Sequence, residues 1–203
     1  MPDLLLASNN PGKLKEIKAI LSEIPIDIIT PRQLNIELEV AEEGTTYREN
    51  AYIKASAFAA ASGLISLADD SGLEVDVLDG LPGLHSARLS RIPNASDLDR
   101  RCHLLSILKG KPKPWTACFR SVVAIAAPVG EVFYSEGICQ GEIISDERGT
   151  SGFGYDPIFL IPEIGKTMAE LSMTQKNKIS HRGQAVNAAL PILAVLFPII
   201  GKP

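Results

Sequence analysis

Within its first two dozen residues this chain changes hydrophobic period, and that change narrows its fold class more than composition does. Leu4-Leu5-Leu6 is a short apolar run that reads as a buried strand, whereas Leu14, Ile17, Ile20 and Leu21 recur at helical spacing along one face. Between them lies Ser8-Asn9-Asn10-Pro11-Gly12-Lys13, a turn of Ser, Asn, Pro and Gly closed by a lysine. Strand, turn and helix follow one another directly, so the chain opens on a βα unit. The N–H groups and dipole at such a helix start suit an anion, and Lys13 adds a point charge; on this segment alone an ordinary connection with Asn as helix cap is the better reading. The G-x-x-x-x-G-K-[ST] spacing of a phosphate-binding Walker loop is absent.

The same alternation continues. A helix is expected from about Thr46 to Ser62, with Ala51, Ala55, Phe58 and Ala59 inward and a stop at Gly63. Leu64-Ile65-Ser66-Leu67 then reads as a strand that ends in the turn-like Ala68-Asp69-Asp70-Ser71-Gly72. Ser96 caps a helix with Asp97 and Asp99 in its first turn, ending near Gly110. Trp115 to Ala127 reads as a strand inside a sheet, and Pro128 and Gly130 turn it back into Glu131 to Ile144 as a long hairpin. A last helix starts near Ser180 and contains Pro191, which should kink or interrupt it. The order βαβαβ, then a helix, a hairpin and further helices, implies an α/β fold with a mixed sheet flanked by helices. No repeat, low-complexity tract or linker divides the 203 residues, so one domain over 1–203 is expected.

Three segments carry chemistry. Asp69 and Asp70 beside Ser71 suit a divalent cation and a water to be activated, although paired acids also occur in plain turns. Upstream, Glu42-Glu43-Gly44-Thr45-Thr46 precedes Glu49 and Lys54, and Thr46 with Glu49 has the spacing of a capping box. Ser151-Gly152-Phe153-Gly154-Tyr155-Asp156-Pro157 is a glycine-rich turn whose two aromatic rings offer flat faces to a base, or pack as a buried β-turn. Ser180-His181-Arg182-Gly183 sets a basic pair at a helix start. Residue chemistry alone does not rank Asp69 against Asp70.

Charge and cysteine usage limit the partners. The net charge of −4 argues against non-specific nucleic-acid binding, so an anionic substrate would need a local basic cluster. Lys13, Lys54, Lys176, His181 and Arg182 could supply it. Leu193 to Ile200 is apolar but too short to span a bilayer and is broken by Pro198. The N-terminus has no basic n-region or cleavage site. Cys102, Cys118 and Cys139 have no ligand spacing and read as reduced thiols of a cytoplasmic protein. His85 and His103 read as surface or helix-face residues, Trp115 as core or a lobe-boundary residue, and Lys15, Lys18 and Lys178 as solvated charges; Arg88 fits an ion pair or a phosphate contact alike.

The segments SNNPGK, EEGTTYRENAYIKA, ADDSGLEVDVLDGLPGLHSAR, GTSGFGYDPIF and GKTMAELSMTQKNKISHRGQA, in that order, resemble the Ham1-like nucleoside triphosphate pyrophosphatases from residue 4 to about 187. His85 departs from the pattern, standing where the family has an aromatic residue before Ser-Ala-Arg. The resemblance implies a homodimer of an elongated, two-lobed fold with the site in a cleft. It also implies Mg²⁺-dependent hydrolysis of inosine and xanthosine triphosphates to monophosphate and pyrophosphate. By that resemblance Asp70 and an acid before Gly44, Glu42 in preference to Glu43, hold the metal, and Asp70 is the general base. Ser8, Asn9, Asn10, Pro11, Gly12 and Lys13 bind phosphate with Lys54 nearby, and Ser71 contacts the substrate. Phe153, Gly154, Tyr155 and Asp156 form the wall against base and sugar, and Lys176, His181 and Arg182 complete recognition. A Maf-like pyrophosphatase acting on pyrimidine nucleotides shares the opening strand and turn but lacks the FGYD and SHRG segments. A non-catalytic nucleotide sensor would have lost the acids.

Overall fold

The computed structural model describes residues 1–90 and 92–197. Pro198 to Ile200, part of the apolar C-terminal run noted above, lie outside the described residues. The secondary structure begins β1 (Asp3–Leu6), α1 (Pro11–Leu21), β2 (Asp27–Ile29), α2 (Tyr47–Ser62) and β3 (Ile65–Val75). It continues with β4 (Pro82–Gly83), α3 (Asp97–Leu108), β5 (Trp115–Ala126) and β6 (Val132–Ile143), then β7 (Phe159–Ile161), β8 (Lys166–Thr167), α4 (Met173–Ile179) and α5 (His181–Leu196). The strands lie in the order β2-β1-β3-β5-β6-β7-β8, with β4 paired to β3. β1 runs parallel to β2 and β3, while β3/β4, β6/β7 and β7/β8 are antiparallel, so the sheet is mixed as expected.

The chain divides into two compact units. The first comprises residues 1–70, 121–137 and 181 onward; the second comprises 71–120 and 138–180. In the first, α1 packs against α5 and α2 against β1. Its core gathers Leu4, Leu6, Ile17, Leu21, Leu67, Val123, Ile125, Ala185, Val186, Ala189 and Leu193. Leu14 and Ile20 pack at its margin, so the apolar face read from the opening helix is the one it buries. In the second, Leu73, Val75, Leu104, Leu108, Trp115, Phe119, Tyr155, Ile158, Phe159 and Met168 form a separate core. The β-branched and aromatic residues of β5 are almost all buried, as a strand inside a sheet requires.

Three local expectations change. The acids of Asp69-Asp70 do not end a strand or form a turn, because β3 runs unbroken from Ile65 to Val75 through both. Charges survive inside it since Asp69 finds cations brought in from elsewhere in the fold. Pro191 does not interrupt α5, which is assigned through to Leu196. One missing N–H is outweighed by packing of Ala185, Val186, Ala189 and Leu193 along the buried face. Finally, Thr46 accepts the Glu49 N–H at 3.1 Å, but the Glu49 carboxylate reaches past it to the Thr45 N–H and hydroxyl, at 2.6 and 2.8 Å. Thr45, Thr46 and Glu49 are all exposed, so this is a surface cap that holds the segment leading into α2.

Candidate active site

The first unit builds its charged centre around two neighbouring residues of β3. Successive side chains of a strand point to opposite faces, so Asp69 and Asp70 meet different surroundings. Asp69 is fully enclosed: it accepts from the Ser121 hydroxyl of β5, from Lys13 Nζ at 2.9 Å and from Arg182 Nε at 3.2 Å. Lys13 Nζ also donates to the Asp69 carbonyl at 3.1 Å. Arg182 Nη1 reaches Glu16 Oε2 at 2.5 Å, which closes a buried chain Glu16–Arg182–Asp69–Lys13. Burial alone would raise the Asp69 carboxyl, but Arg182, Lys13 and the Ser121 hydroxyl outweigh it and hold it far below the usual carboxylate range. Asp69 is therefore a fixed anion.

Asp70 differs. Its side chain is 10 % exposed and lies 4.0 Å from Lys54 Nζ, which in turn contacts Glu42 Oε1 at 2.5 Å. Burial pushes the Asp70 carboxyl up, and the charges of Lys13 and Lys54 do not fully reverse it, while Glu42 and Asp69 raise it further. A carboxylate shifted toward neutrality is the better proton acceptor, and neighbouring acids pushed in opposite directions divide into structural anion and candidate base. Burial lowers the Lys13 ammonium too, with Asp69 opposing and Arg182 and Lys54 reinforcing. Among the acids before Gly44, Glu42 is the one joined to Asp70 through Lys54, whereas Glu43 is exposed.

No group of three or more His, Cys, Asp or Glu that could hold a metal occurs among the described residues. Two carboxylates on either side of one ammonium nonetheless fit Mg²⁺, which takes oxygen donors and commonly uses one or two carboxylates with substrate phosphates and water.

The opening turn is more self-contained than its sequence suggests. Asn10 Oδ1 accepts the N–H groups of Gly12 and Lys13 at 2.9 and 3.2 Å, and Ser8 Oγ accepts that of Asn10 at 3.2 Å. Two donors that an anion could have used are thus capped by the chain itself. Asn9, Asn10 and Pro11 are exposed, while Ser8, Gly12 and Lys13 are half-buried.

In the second unit the aromatic turn is held from within. Asp156 Oδ2 accepts the Phe153 N–H at 2.8 Å and Lys176 Nζ at 2.5 Å, and both side chains are nearly sealed from solvent. Gly152 has φ +77°, and a Cβ there would collide with Asp156 Oδ2, so only glycine closes this turn. Phe153 stays half-buried with Lys176 Nζ 5.2 Å from its ring centre. Tyr155 goes the other way: its ring enters the core, its hydroxyl donates to the Ser86 carbonyl at 2.7 Å, and burial raises its phenol well above the usual value. Of the two expected faces, Phe153 is the one that the core leaves partly uncovered. Ser71 is half-buried on β3, directly after Asp70.

His181 and Arg182 open α5 and are both buried. Gly137 of β6 makes their position possible, because a Cβ there would overlap the His181 carbonyl and crowd the Ala185 N–H. Gly137, Glu16, Ser121 and Asn50 escaped the reading of the sequence. Asn50 is buried and accepts the Gly44 N–H at 2.8 Å, tethering the segment that carries Glu42. Glu16 alone left a trace: it sits three residues after Lys13 and four before Ile20, on a helix face otherwise turned inward.

Fold and site together define a mixed α/β protein in which one strand carries a buried structural carboxylate beside a second, lysine-flanked carboxylate suited to proton transfer. The Ham1 family matches residues 4–192, and this chain belongs to that family. A Desulforamulus reducens protein described as a dITP/XTP pyrophosphatase is 46 % identical over 195 residues, covering 96 % of each chain. A Geobacter sulfurreducens protein of the same description is 47 % identical, covering 92 % of this chain and 94 % of its own. The solved structure of a Coxiella burnetii HAM1 protein superposes with a TM-score of 0.86 at 37 % identity, covering 96 % of this chain and all of that one. The Staphylococcus aureus Ham1 protein gives 0.84 at 39 % identity, covering 96 % and 99 %.

Proposed function

We propose that this protein hydrolyses inosine, deoxyinosine and xanthosine triphosphates to the monophosphate and pyrophosphate, removing altered purines from the nucleotide pool. The observation that carries the reading is the pair on β3, Asp69 enclosed and ion-paired with Arg182 and Lys13, and Asp70, raised by its burial, 4.0 Å from the Lys54 ammonium that also contacts Glu42. It is supported by the relatives described as dITP/XTP pyrophosphatases at 46 and 47 % identity. A pyrimidine-specific or non-catalytic reading has no comparable support, since the acids, the lysines and the FGYD and SHRG segments are all present.

Phosphoanhydride cleavage is mostly positioning and charge neutralisation. Asp70 takes the proton from the attacking water as the bond between the α- and β-phosphates breaks. Lys13 and Lys54, with the Ser8–Lys13 turn, neutralise the polyphosphate, and Lys13 keeps its place through Asp69. Glu42 and Asp70 would hold Mg²⁺, which when bound supplies further positive charge to the phosphate oxygens. Ser71 contacts the substrate, Phe153 to Asp156 with Lys176 form the base wall, and His181 and Arg182 complete recognition. A cytoplasmic homodimer is the working state assigned; no helix among the described residues is long and apolar enough to cross a membrane.

Base choice follows from hydrogen-bond polarity. Hypoxanthine and xanthine carry an acceptor oxygen at the 6-position, where adenine carries an amino donor. The donors proposed for that oxygen are those of Arg182, His181 and backbone N–H groups in the SHRG and FGYD turns; the N–H groups of Phe153, Gly154 and Asp156, and the Arg182 Nε and Nη1, are also engaged within the protein. Against adenine such a site sets donor against donor, a mismatch worth up to ~10⁴-fold when fully desolvated. Pyrophosphate release from inosine, xanthosine, guanosine and adenosine triphosphates, with and without Mg²⁺, tests the reading. Inosine and xanthosine triphosphates should be cleaved far faster than ATP, with GTP the better of the two ordinary purines. Equal catalytic efficiency on ATP and inosine triphosphate would sink it.

A further inference from the structure

The turn that carries Phe153 is gripped from outside by one face of α3. Asp97 is the first residue of that helix and Arg101 follows one turn later, on the same side. Asp97 Oδ2 accepts the Gly154 N–H at 2.7 Å, and Arg101 Nη1 donates to the Gly154 carbonyl at 2.9 Å. The two peptide groups flanking the Gly154 α-carbon are therefore both tied to α3, at a residue whose φ of +62° few side-chain-bearing residues adopt. Each grip is itself braced. Arg100 pairs with Asp97 Oδ1, and Arg101 makes a two-pronged contact with Glu147, Nε to Oε1 at 2.8 Å and Nη2 to Oε2 at 3.0 Å. The helix start cannot fray easily, because Ser96 and Asp99 form a reciprocal capping box. Asp156 fixes the turn at the Phe153 N–H, so Phe153 lies between one anchor from inside the turn and two from α3.

We propose that Asp97 and Arg101 are positioning residues for base recognition, holding the Gly154 backbone so that the Phe153 ring is set before substrate arrives. The proposal rests on the reading of Phe153 as part of the base wall. A ring held in place beforehand loses little freedom on binding, so the clamp acts on affinity for the base and leaves the phosphate chemistry alone.

The test compares wild-type protein with Asp97→Ala, Asp97→Asn, Arg101→Met, Arg101→Lys and Phe153→Ala in pyrophosphate release from inosine triphosphate. Inhibition by inorganic pyrophosphate serves as an independent gauge of the phosphate-binding end. Asp97→Ala and Arg101→Met should each raise KM about tenfold, the scale of a hydrogen bond with a charged partner, with kcat within about twofold and pyrophosphate inhibition unchanged. Arg101→Lys should recover part of the loss, since an ammonium can still donate to the Gly154 carbonyl. Adding Asp97→Ala to Phe153→Ala should cost little more than Phe153→Ala alone. The Gly154 amide should exchange faster with solvent in Asp97→Ala, and less so in Asp97→Asn, whose amide oxygen can still accept it; Arg101→Met carries the test if Asp97→Ala does not fold. Unchanged KM in folded clamp variants beside a raised KM in Phe153→Ala would overturn the clamp alone. An unchanged KM in Phe153→Ala would overturn the base-wall reading and the clamp with it. A fall confined to kcat, or losses that add in full, would also overturn the clamp.

Discussion

At the scale of single residues, the two neighbouring aspartates should respond to the same substitution in opposite ways. Asp70 carries a charge that its burial disfavours more than Lys13 and Lys54 favour it, so Asp70→Asn removes a proton acceptor at the loss of only a long contact to Lys54. Turnover should fall by at least ~10²-fold, while the melting temperature, followed by circular dichroism, holds or rises. Asp69→Asn removes a counter-charge from buried Arg182, which keeps that of Glu16, and from half-buried Lys13. Breaking a buried pair in this way costs about 3–5 kcal/mol, or roughly 10 °C for a chain of this size. Activity retained in Asp70→Asn, or a native melting temperature in Asp69→Asn, would contradict the division of roles. Lys13→Ala bears on the phosphate end, so catalytic efficiency should drop by a similar factor on every accepted nucleotide. A change in base preference at unchanged rate would contradict that. Sequence motifs named Asp70, Lys13 and Arg182 as candidates, but did not say that Asp69 joins the last two. Lys13 lies 56 residues from Asp69 and Arg182 lies 113, so no local pattern reveals the contact.

At the scale of elements, helix starts were legible because their signals are local. Thr46, Ser96 and Asn10 each cap the helix that follows, as their side-chain chemistry requires. The end of β3 was not legible, since acids normally argue against a buried strand and only partners from α1, β5 and α5 make them tolerable there. The seating of α5 was equally hidden. It depends on Gly137, which has no side chain where the His181 carbonyl passes. Gly137→Ala should push the start of α5 away from β6 and loosen the Glu16–Arg182–Asp69 chain. A loss of both activity and thermal stability is expected, of about 1–3 kcal/mol for a single overpacked methyl. A variant with native melting temperature and kcat/KM would show that the close approach is dispensable.

For the molecule as a whole, alkaline stability offers a check that involves no substrate. Burial first, and then a hydrogen bond to Glu74, push the Cys118 thiol up to about 11; burial, with the charge of Glu163 behind it, pushes Cys139 up to about 11 also. Both thiols thus hold their protons more tightly folded than unfolded. Their contribution is fully present below the unfolded value and is lost as pH climbs from about 9 toward 11, at up to about 1.4 kcal/mol per pH unit for each thiol. Urea midpoints measured between pH 8 and 10.5 should fall more steeply for the wild type than for Cys118→Ser/Cys139→Ala, and parallel slopes would refute it. The fold class, the opening βα alternation, the long β5–β6 hairpin, the caps of α1, α2 and α3 and the family resemblance were determined by the sequence alone, because periodicity, turn chemistry and motif order act over a few residues; the short strands β4, β7 and β8 and the helix α4 were not. Which carboxylate is locked and which is raised, which aromatic ring faces inward, and which backbone groups α3 and Gly137 hold in place were decided only by tertiary structure. Those outcomes depend on burial and on charges from distant segments, and both exist only once the chain has folded.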